Sequence, residues 1–384
     1  MGVRFIIGSA GSGKSQHCLD EITREALAAP SGPPLILLVP EQATFQVEQA
    51  LLGGGQLKGI MRAQVLSFQR LAWRVSLKAG GLALPPLSDL GKQMVLRALL
   101  ERHREDLRLF HQVADKPGFI ERVAGSIREL HSYRQGPESL RRQLELLENE
   151  GLGETSLGAK LHDLALVMGE LQTYIQGRFT DPDEYLTVLA ARLEESRLLE
   201  GAQVWVDGFN GFTPQELAVL GAVMRSARQV HLTLCIAPGQ LYKAGGHHSP
   251  ADLFHPVLAT CDQLMQLAAE SGVTVDPPLL LTEGHRFRGA PELAHVERYL
   301  FRQSAPPWPD APARIRLVEA QNRREEVAAA AREILRLVRE EGLRYREIAV
   351  IARNLEAYGD LAATVFAEHG IPAFIDRRRT VAPH

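Results

Sequence analysis

The first fifteen residues constrain the fold of this chain more than any other segment. Phe5, Ile6 and Ile7 form an apolar run typical of a buried strand, and the sequence GSAGSGKS follows directly at residues 8–15. Such a glycine-rich turn offers backbone N–H groups to a phosphate chain, while its lysine reaches the β and γ phosphates and its hydroxyl ligates Mg²⁺. We therefore predict a strand, a Walker A phosphate loop, and a helix that begins at the phosphates of a nucleotide, ATP. The predicted nucleotide ligands are Gly8, Ser9, Ala10, Gly11, Ser12, Gly13, Lys14 and Ser15.

Length and charge set only broad limits on the fold and the function of this chain. The chain has 384 residues, 45% of them hydrophobic and 23% charged, which predicts two or three packed units of an ordinary globular protein. Its net charge of −3 gives no global positive field, so DNA binding would need a local basic surface or a partner subunit. No apolar run approaches the roughly 20 residues that span a bilayer. Because the first strand begins at the N-terminus and leaves no room for a signal peptide, we expect a cytoplasmic protein without membrane contact.

Cysteines and histidines give little sign of a metal site. Cys18, Cys235 and Cys261 are too few and too widely spaced for a CxxC motif or a disulfide framework, and we expect buried thiols. Three histidines lie near Cys261, but intervening prolines indicate a loop rather than a zinc site. They are His247, His248 and His255.

Apolar runs at residues 35–39, 63–68 and 202–207 are typical of strands in a parallel sheet. The last of these runs ends at Asp207. In a P-loop protein an aspartate at this position holds Mg²⁺, here opposite Ser15. The alternative is that Asp207 caps the turn before the helix that starts near Pro214. The sequence favours Mg²⁺ binding and leaves the capping role open.

The residue after Asp207 is Gly208. ATPases of the helicase type carry a glutamate at this position, where it polarises the attacking water. A general base contributes roughly 10² to 10⁴ in rate. We therefore expect nucleotide binding with slow or absent hydrolysis, and no residue stands out as catalytic.

The pattern of apolar residues divides the chain into segments. Residues 1–85 and 200–300 are predicted to form a P-loop α/β domain, interrupted at 86–199 by a helical insertion. The mixed charges of the insertion indicate a solvated helical surface, with DNA contact as the alternative. A proline-rich linker at 301–312 precedes the start of a second domain at 313–384.

Within that second domain we predict three elements. Residues 314–318 and 348–351 have the composition of strands, and residues 323–341 have apolar positions at helical spacing.

The order of these segments resembles that of superfamily I helicases of the UvrD and RecB type. Residues 207–215 resemble a degraded Asp-Glu-Phe-Gln motif, and residues 66–71 resemble the DNA-contacting Thr-Phe-His segment of that group. Residues 239–242 are similar to its Gln-Ser-Ile-Tyr element, and residues 348–354, followed by the Gly-Ile-Pro strand at 368–373, to its fourth motif. The resemblance implies a RecA-like sheet and two RecA-like domains.

It also implies roles for particular residues. Ser67, Phe68, Gln42 and Thr44 would help to line a DNA channel. Arg353 would either approach the γ-phosphate from the second domain or be an ordinary surface arginine.

Four segments, residues 5–15, 38–48, 206–209 and 375–378, more narrowly resemble the AddB family. Its members are second subunits of the bacterial AddAB (RexAB-type) ATP-dependent helicase and exonuclease. This resemblance implies processing of DNA ends and single-stranded DNA in double-strand break repair and recombination, recognition of Chi, and a heterodimer with an AddA-type subunit that supplies the motor. AddB proteins also carry a nuclease domain with an iron–sulfur cluster in a C-terminal part, and we expect this chain to be an N-terminal fragment without it.

Two questions stay open at this point. Only seven residues precede Gly8, so the adenine-reading glutamine segment of working motors is not evident and base selectivity is undecided. The alternative function is a P-loop small-molecule kinase or nucleotide switch without a DNA role. The predicted second RecA-like domain argues against it, because simple P-loop kinases have only one such domain.

Overall fold

In a computed structural model, the chain forms two compact units, Met1–Gly289 and Ala290–His384. No helix in the described parts of either unit has both the length and the apolar character needed to cross a membrane. The described residues are 1–53, 62–78, 84–243, 249–301 and 304–376.

The first unit is built on a parallel sheet, and its described residues contribute seven strands in the order β3-β2-β4-β5-β1, with β6 and then β7 along the free edge of β1. Every pairing in this sheet is parallel. The predicted α/β fold of RecA-like type is confirmed. The strands are β1 (Gly2–Gly8), β2 (Leu35–Leu38), β3 (Ala63–Leu66), β4 (Gln203–Val206), β5 (Gln229–Leu234), β6 (Thr274–Val275) and β7 (Leu279–Leu281).

Helices cover both faces of the sheet, which explains why its strands are apolar on both sides. Alternate residues of β1 point to opposite faces: Phe5 and Ile7 join one core, and Ile6 joins the other. The core around Ile6 includes residues of α1 and α2, whereas the core around Phe5 includes residues of α3, α8, α9 and α10. These helices are α1 (Lys14–Ala28), α2 (Thr44–Gly53), α3 (Phe68–Lys78), α8 (Tyr185–Arg192), α9 (Pro214–Ser226) and α10 (His255–Glu270).

The chain between β3 and β4 is helical after α3, as predicted. It contributes a separate hydrophobic core that contains Leu96, Leu100, Ile127 and Met168. Helix α8 instead places Leu189 in the core of the sheet, so the insertion returns to the α/β layer before β4 begins. The helices of the separate core are α4 (Asp89–Arg102), α5 (Pro117–Ser132), α6 (Pro137–Asn149) and α7 (Ser156–Ile175).

The second unit has a small core between α12 and α13. The helix predicted at 323–341 is confirmed, but the strands predicted at 314–318 and 348–351 are wrong, because neither segment pairs with a strand in the described part of this unit. The apolar pattern is present, yet Leu317 and Ile351 are 96% and 93% exposed. A strand needs a hydrogen-bonded neighbour, which sequence pattern alone does not provide. The helices are α11 (Pro291–Tyr299), α12 (Arg323–Glu340) and α13 (Gly359–Glu368).

Candidate nucleotide-binding site

The loop between β1 and α1 has the backbone geometry of a phosphate cradle. Gly11 and Gly13 have φ angles of 76° and 91°, in the left-handed region that glycine adopts without steric cost. A Cβ atom on Gly8 would lie only 2.8 Å from the backbone oxygen of Leu281, so glycine is also favoured there. Helix α1 begins at Lys14, immediately after this turn, and its N-terminus therefore faces the loop.

Lys14 lies folded back over the loop. Its Nζ donates hydrogen bonds to the carbonyl oxygens of Gly8, at 2.7 Å, and Ser9, at 2.8 Å. Cys235 follows β5 directly, and the pairing of Leu234 with Ile7 places it next to the start of the loop. The ammonium group thus lies where phosphate oxygens would replace the two carbonyl groups as partners.

Three other groups act electrostatically on this ammonium. Burial lowers the pKa of Lys14 below its usual value, and the positive charge of Arg286 acts in the same direction. Cys235 and Asp207 oppose that shift in the pKa of Lys14. Two cations and one carboxylate therefore converge at the mouth of the loop.

Asp207 is buried at the end of β4. Thr233 donates a 2.6 Å hydrogen bond from its Oγ1 to Asp207 Oδ1, and the backbone N–H of Asp207 donates to Leu38 O at 3.0 Å. The N-cap of α9 is Thr213, whose hydroxyl accepts from the N–H of Glu216 at 3.3 Å. Asp207 is therefore not used as the cap of this helix.

The residues present fit a nucleotide with a divalent cation. Ser15 and Asp207 supply the hydroxyl and carboxylate oxygens that Mg²⁺ prefers. Ser12 is 2% exposed, and its buried hydroxyl has no hydrogen-bond partner among the described residues. An unpartnered buried donor inside a glycine cradle indicates a loop built to accept an anion.

Gly208 adopts a left-handed conformation, with a φ of 83°. A Cβ atom there would lie 3.4 Å from Pro40 Cδ. The backbone itself therefore favours glycine at the position where helicase-type ATPases carry glutamate.

A segment that follows β7 also contacts the phosphate loop, and the sequence did not predict it. The backbone N–H of Arg286 donates to Gly11 O at 3.1 Å, and Arg286 Cβ lies 2.7 Å from the position of a Cβ on Gly11. The ring of His285 lies 3.2 Å from the corresponding position on Gly13. A sequence signal for this contact was present. His285, Arg286 and Phe287 follow an apolar strand, and the carboxyl ends of strands form the edge of the sheet where α/β proteins bind ligands.

A family model described as ADDB, N-terminal, matches residues 5–297 of this chain. The chain belongs to the AddB family. A curated relative from Symbiobacterium thermophilum is 88% identical over 382 residues, and relatives from Moorella thermoacetica and Heliobacterium modesticaldum are 51% and 49% identical. Each of the three is named as the B-type subunit of an ATP-dependent helicase/deoxyribonuclease. The matches cover 100% of this chain but 31% to 33% of each relative, so the chain spans about a third of their length.

Three of the residues that the helicase resemblance suggested for DNA contact have mainly internal partners. Thr44 and Ser67 are buried; Thr44 Oγ1 donates to Glu41 O at 2.9 Å, and the Ser67 hydroxyl bonds the Glu41 carboxylate. Phe68 is buried too. Gln42 is exposed and accessible to a ligand.

Phe68 contacts two aromatic residues of the loop that follows Asp207. Its ring makes edge contacts with Phe209 and Phe212, at centroid distances of 5.5 Å and 6.3 Å. Both partners belong to the loop between Asp207 and α9. Phe68 therefore connects the start of α3 to the loop that follows the candidate metal ligand.

Other predicted residues lie outside this site or outside the described residues. Arg353 is exposed in the second unit, and its role stays a prediction. Residues 239–242 lie in a short 3-10 helix, Pro238–Lys243. His247, His248 and residues 377–378 of the AddB-like ending fall outside the described residues. Cys18 and Cys261 are buried as expected, but Cys235 is only half-buried, so the expectation is wrong for that thiol.

Proposed function

We propose that this AddB-family chain binds ATP with Mg²⁺ at residues 8–15, as the helicase-like part of one subunit of an ATP-dependent helicase/deoxyribonuclease. The observation that carries the proposal is the position of Lys14 over a glycine cradle that contains the unpartnered hydroxyl of Ser12. The names of the relatives, which describe ATP-dependent enzymes, support it.

Each residue of the site has a proposed role. Backbone N–H groups around Gly11 and Gly13 bind the phosphate chain, and Lys14 neutralises its terminal charge. Ser15 and Asp207 hold Mg²⁺, which supplies further charge neutralisation when it is bound.

Hydrolysis at this site is proposed to be slow. No carboxylate follows Asp207, and the left-handed backbone at Gly208 favours glycine at that position. A missing general base lowers the rate by roughly 10² to 10⁴. The nucleotide would then act as a structural or regulatory ligand, and its hydrolysis would not drive movement along DNA.

DNA and a partner subunit belong to the proposal for the whole protein. Because the relatives are named as one subunit of an enzyme, we propose a second subunit, which is of the AddA type and supplies the motor. Gln42 and the exposed rings of Phe45 and Trp73 are available for contact with single-stranded DNA, since base stacking on aromatic side chains is typical of such contacts. Recognition of Chi, nuclease activity and an iron–sulfur cluster are assigned to the complete break-repair enzyme, the last two to a part outside this chain.

The test is titration of the purified chain with a fluorescent ATP analogue in the presence of Mg²⁺. Lys14→Ala should weaken binding at least tenfold while its circular dichroism spectrum is unchanged. The control is Lys116→Ala, since Lys116 is exposed and remote from the loop in sequence. Normal affinity in Lys14→Ala would show that the proposal is wrong.

The DNA role and the slow turnover are tested separately. Phosphate release should stay near background with and without single-stranded DNA, and brisk DNA-stimulated release would contradict the regulatory role. Binding of single-stranded DNA should weaken steeply as salt increases, because phosphate contacts release counterions. Absence of salt-sensitive binding would favour a nucleotide switch without a DNA role.

A further inference from the structure

A cleft of about 670 Å³ lies where the helical insertion meets the α/β layer. Helices α5 and α7 of the insertion contribute to its lining, and so do α8 and α9. A second cleft of about 400 Å³ shares three lining residues with the first, so the two clefts adjoin. The larger cleft falls within the volume range of small-molecule sites, about 300 to 1,000 Å³. The shared residues are Arg134, Thr187 and Gln215.

The lining of the larger cleft combines apolar side chains with neutral amides. Met168 is buried and Phe179 is half-buried. Aromatic side chains stack on the bases of single-stranded DNA, and amide side chains hydrogen-bond base edges. A planar heterocycle with polar edges therefore suits this lining. The exposed amides are those of Gln135, Gln172 and Gln176.

His131 adds an unused hydrogen-bonding group to the wall of the cleft. Its Nδ1 is buried and has no hydrogen-bond partner among the described residues, although buried polar atoms are nearly always paired. Asp181 also lines the cleft, but Lys92 Nζ lies 2.7 Å and 2.8 Å from its two carboxylate oxygens. Because the charge of Asp181 is compensated in this way, it opposes an anion in the cleft only weakly.

Arg134 supplies a cation to both clefts. It follows α5, where the N–H of Gln135 donates to Leu130 O at 2.8 Å, and its φ of 57° is left-handed. Glycine is the usual residue at this position after a helix. The guanidinium of Arg134 forms no ion pair with a carboxylate in the described part of the chain. The chain thus places arginine where the backbone favours glycine, and its charge is available to a phosphate group.

We propose that this cleft binds one nucleotide unit of a single DNA strand, with the base against α7 and the phosphate group on Arg134. The inference rests on the proposed DNA role and extends it to the helical insertion. A free nucleoside monophosphate carries the same base and phosphate group, so it serves as a second probe.

The first experiment measures the affinity of the 384-residue chain for a fluorescent oligodeoxythymidylate, with Mg²⁺ and ATP present to occupy the phosphate loop. Arg134→Gly should weaken binding roughly fivefold and reduce the slope of log affinity against log salt by about 0.7, the contribution of one phosphate contact. The same variant should be at least as stable in urea as the wild type, because glycine relieves the left-handed strain. A loss of stability would instead assign Arg134 a structural role and contradict the proposal.

The matched control is Arg197→Gly. Arg197 is also an exposed arginine with a left-handed backbone, at a φ of 49°, but it lines neither cleft. This variant should keep the wild-type affinity and salt slope. Equal affinities of Arg134→Gly and Arg197→Gly would overturn the proposal. Glu184→Gln removes an exposed carboxylate from the lining and should strengthen binding, whereas weaker binding would count against an anion in this cleft.

The second experiment locates the base. An oligonucleotide that contains iododeoxyuridine is cross-linked to the chain by light, and labelled peptides are identified by mass spectrometry. We expect label at Met168 or Phe179, and label confined to Phe45 and Trp73 would refute the cleft as the site. Free iododeoxyuridine monophosphate is the second probe. Label from the monophosphate but not from the oligonucleotide would refute a DNA strand as the source.

The two proposals fail in different ways. A wild-type chain without salt-sensitive binding of the oligonucleotide would refute the proposed DNA role and this inference with it. A chain that binds the oligonucleotide with the expected salt dependence, but without label in the cleft or an effect of Arg134→Gly, would refute the inference alone.

Discussion

The backbone N–H of Arg286 donates a 3.1 Å hydrogen bond to the carbonyl oxygen of Gly11. This bond fixes the segment after β7 against the phosphate loop, and the charge of Arg286 is close enough to lower the pKa of Lys14. Two cations therefore meet at one edge of the sheet, although their residues lie far apart in the sequence. The arrangement suits a ligand with several negative charges.

Arg286→Ala should weaken ATP binding, because it removes one of the two cations at the loop. A hydrogen bond to a charged group contributes about 1.5 to 3 kcal/mol, which corresponds to roughly a 10-fold to 150-fold loss of affinity. The matched control is Arg288→Ala, since Arg288 is exposed and pairs with Glu283 at 2.6 Å. Equal affinities of the two variants for the ATP analogue would remove Arg286 from the site.

Gly208→Ala should lower the free energy of unfolding by about 1 to 2 kcal/mol, because a side chain in a left-handed conformation is strained. The control is Gly211→Ala in the same loop, where φ is not in that region and a Cβ would lie at an ordinary 3.6 Å from Thr260 Oγ1. Urea denaturation measures both variants. A Gly208→Ala variant as stable as Gly211→Ala would contradict the predicted strain.

Lys92→Met should destabilise the first unit. Lys92 is buried, and its Nζ lies 2.7 Å from both Asp181 Oδ1 and Asp183 Oδ2. Asp183 would still pair with Arg128 at 3.2 Å, whereas the buried carboxylate of Asp181 would lose the cation that compensates it. Loss of one partner of a buried ion pair costs about 3 to 5 kcal/mol.

Thermal and urea unfolding of Lys92→Met measure this loss. Lys116→Met is the control, because Lys116 is exposed and should change stability by no more than about 0.5 kcal/mol. Addition of Asp181→Asn to Lys92→Met should recover part of the lost stability. No recovery would mean that packing, and not the charge of Asp181, dominates the loss.

Stability should fall in mild acid because of His231. Its ring stacks on Trp205 at a centroid distance of 5.1 Å. Burial lowers the pKa of His231, and Glu21 only partly opposes the shift. The folded state therefore binds a proton less readily than the unfolded state. Below the unfolded value of about 6.5, the free energy of unfolding falls by up to about 1.4 kcal/mol per pH unit until the lowered folded pKa is reached.

Urea denaturation at about pH 7.5 and about pH 5.5, on either side of the unfolded value, tests this dependence. His231→Phe keeps a ring against Trp205 but carries no proton, so it should lose less stability between the two pH values than the wild type does. An identical loss in both proteins would assign the acid sensitivity to other groups.

Much of the α/β unit was predictable because its signals are local. The run at Leu35–Leu38 is buried on both faces, as a continuous apolar strand in a parallel sheet must be. The start of α9 could be predicted from neighbouring residues, since Thr213, Pro214 and Glu216 form the capping box and the first helical turn. The turns at Gly11 and Gly13 likewise follow from residue type alone.

Other features were not predictable because they depend on contacts between distant segments. The pattern at residues 314–318 predicts a strand, but a strand exists only when a neighbour supplies hydrogen bonds. The sequence also assigned Cys235 to the core, and it contained no sign that Lys92 would be buried against Asp181. Burial and pairing of such groups depend on which elements pack together, not on neighbours in the sequence.

The sequence by itself determined the phosphate loop, the parallel sheet, the helical insertion and the AddB family, because these are encoded in short motifs and in the periodicity of apolar residues. Only the tertiary structure decided that Arg286 contacts Gly11 and that Thr233 hydrogen-bonds Asp207. These pairs come from strands that are neighbours in the sheet or from segments that follow them. The register of a sheet, and not distance along the chain, brings their side chains to one edge.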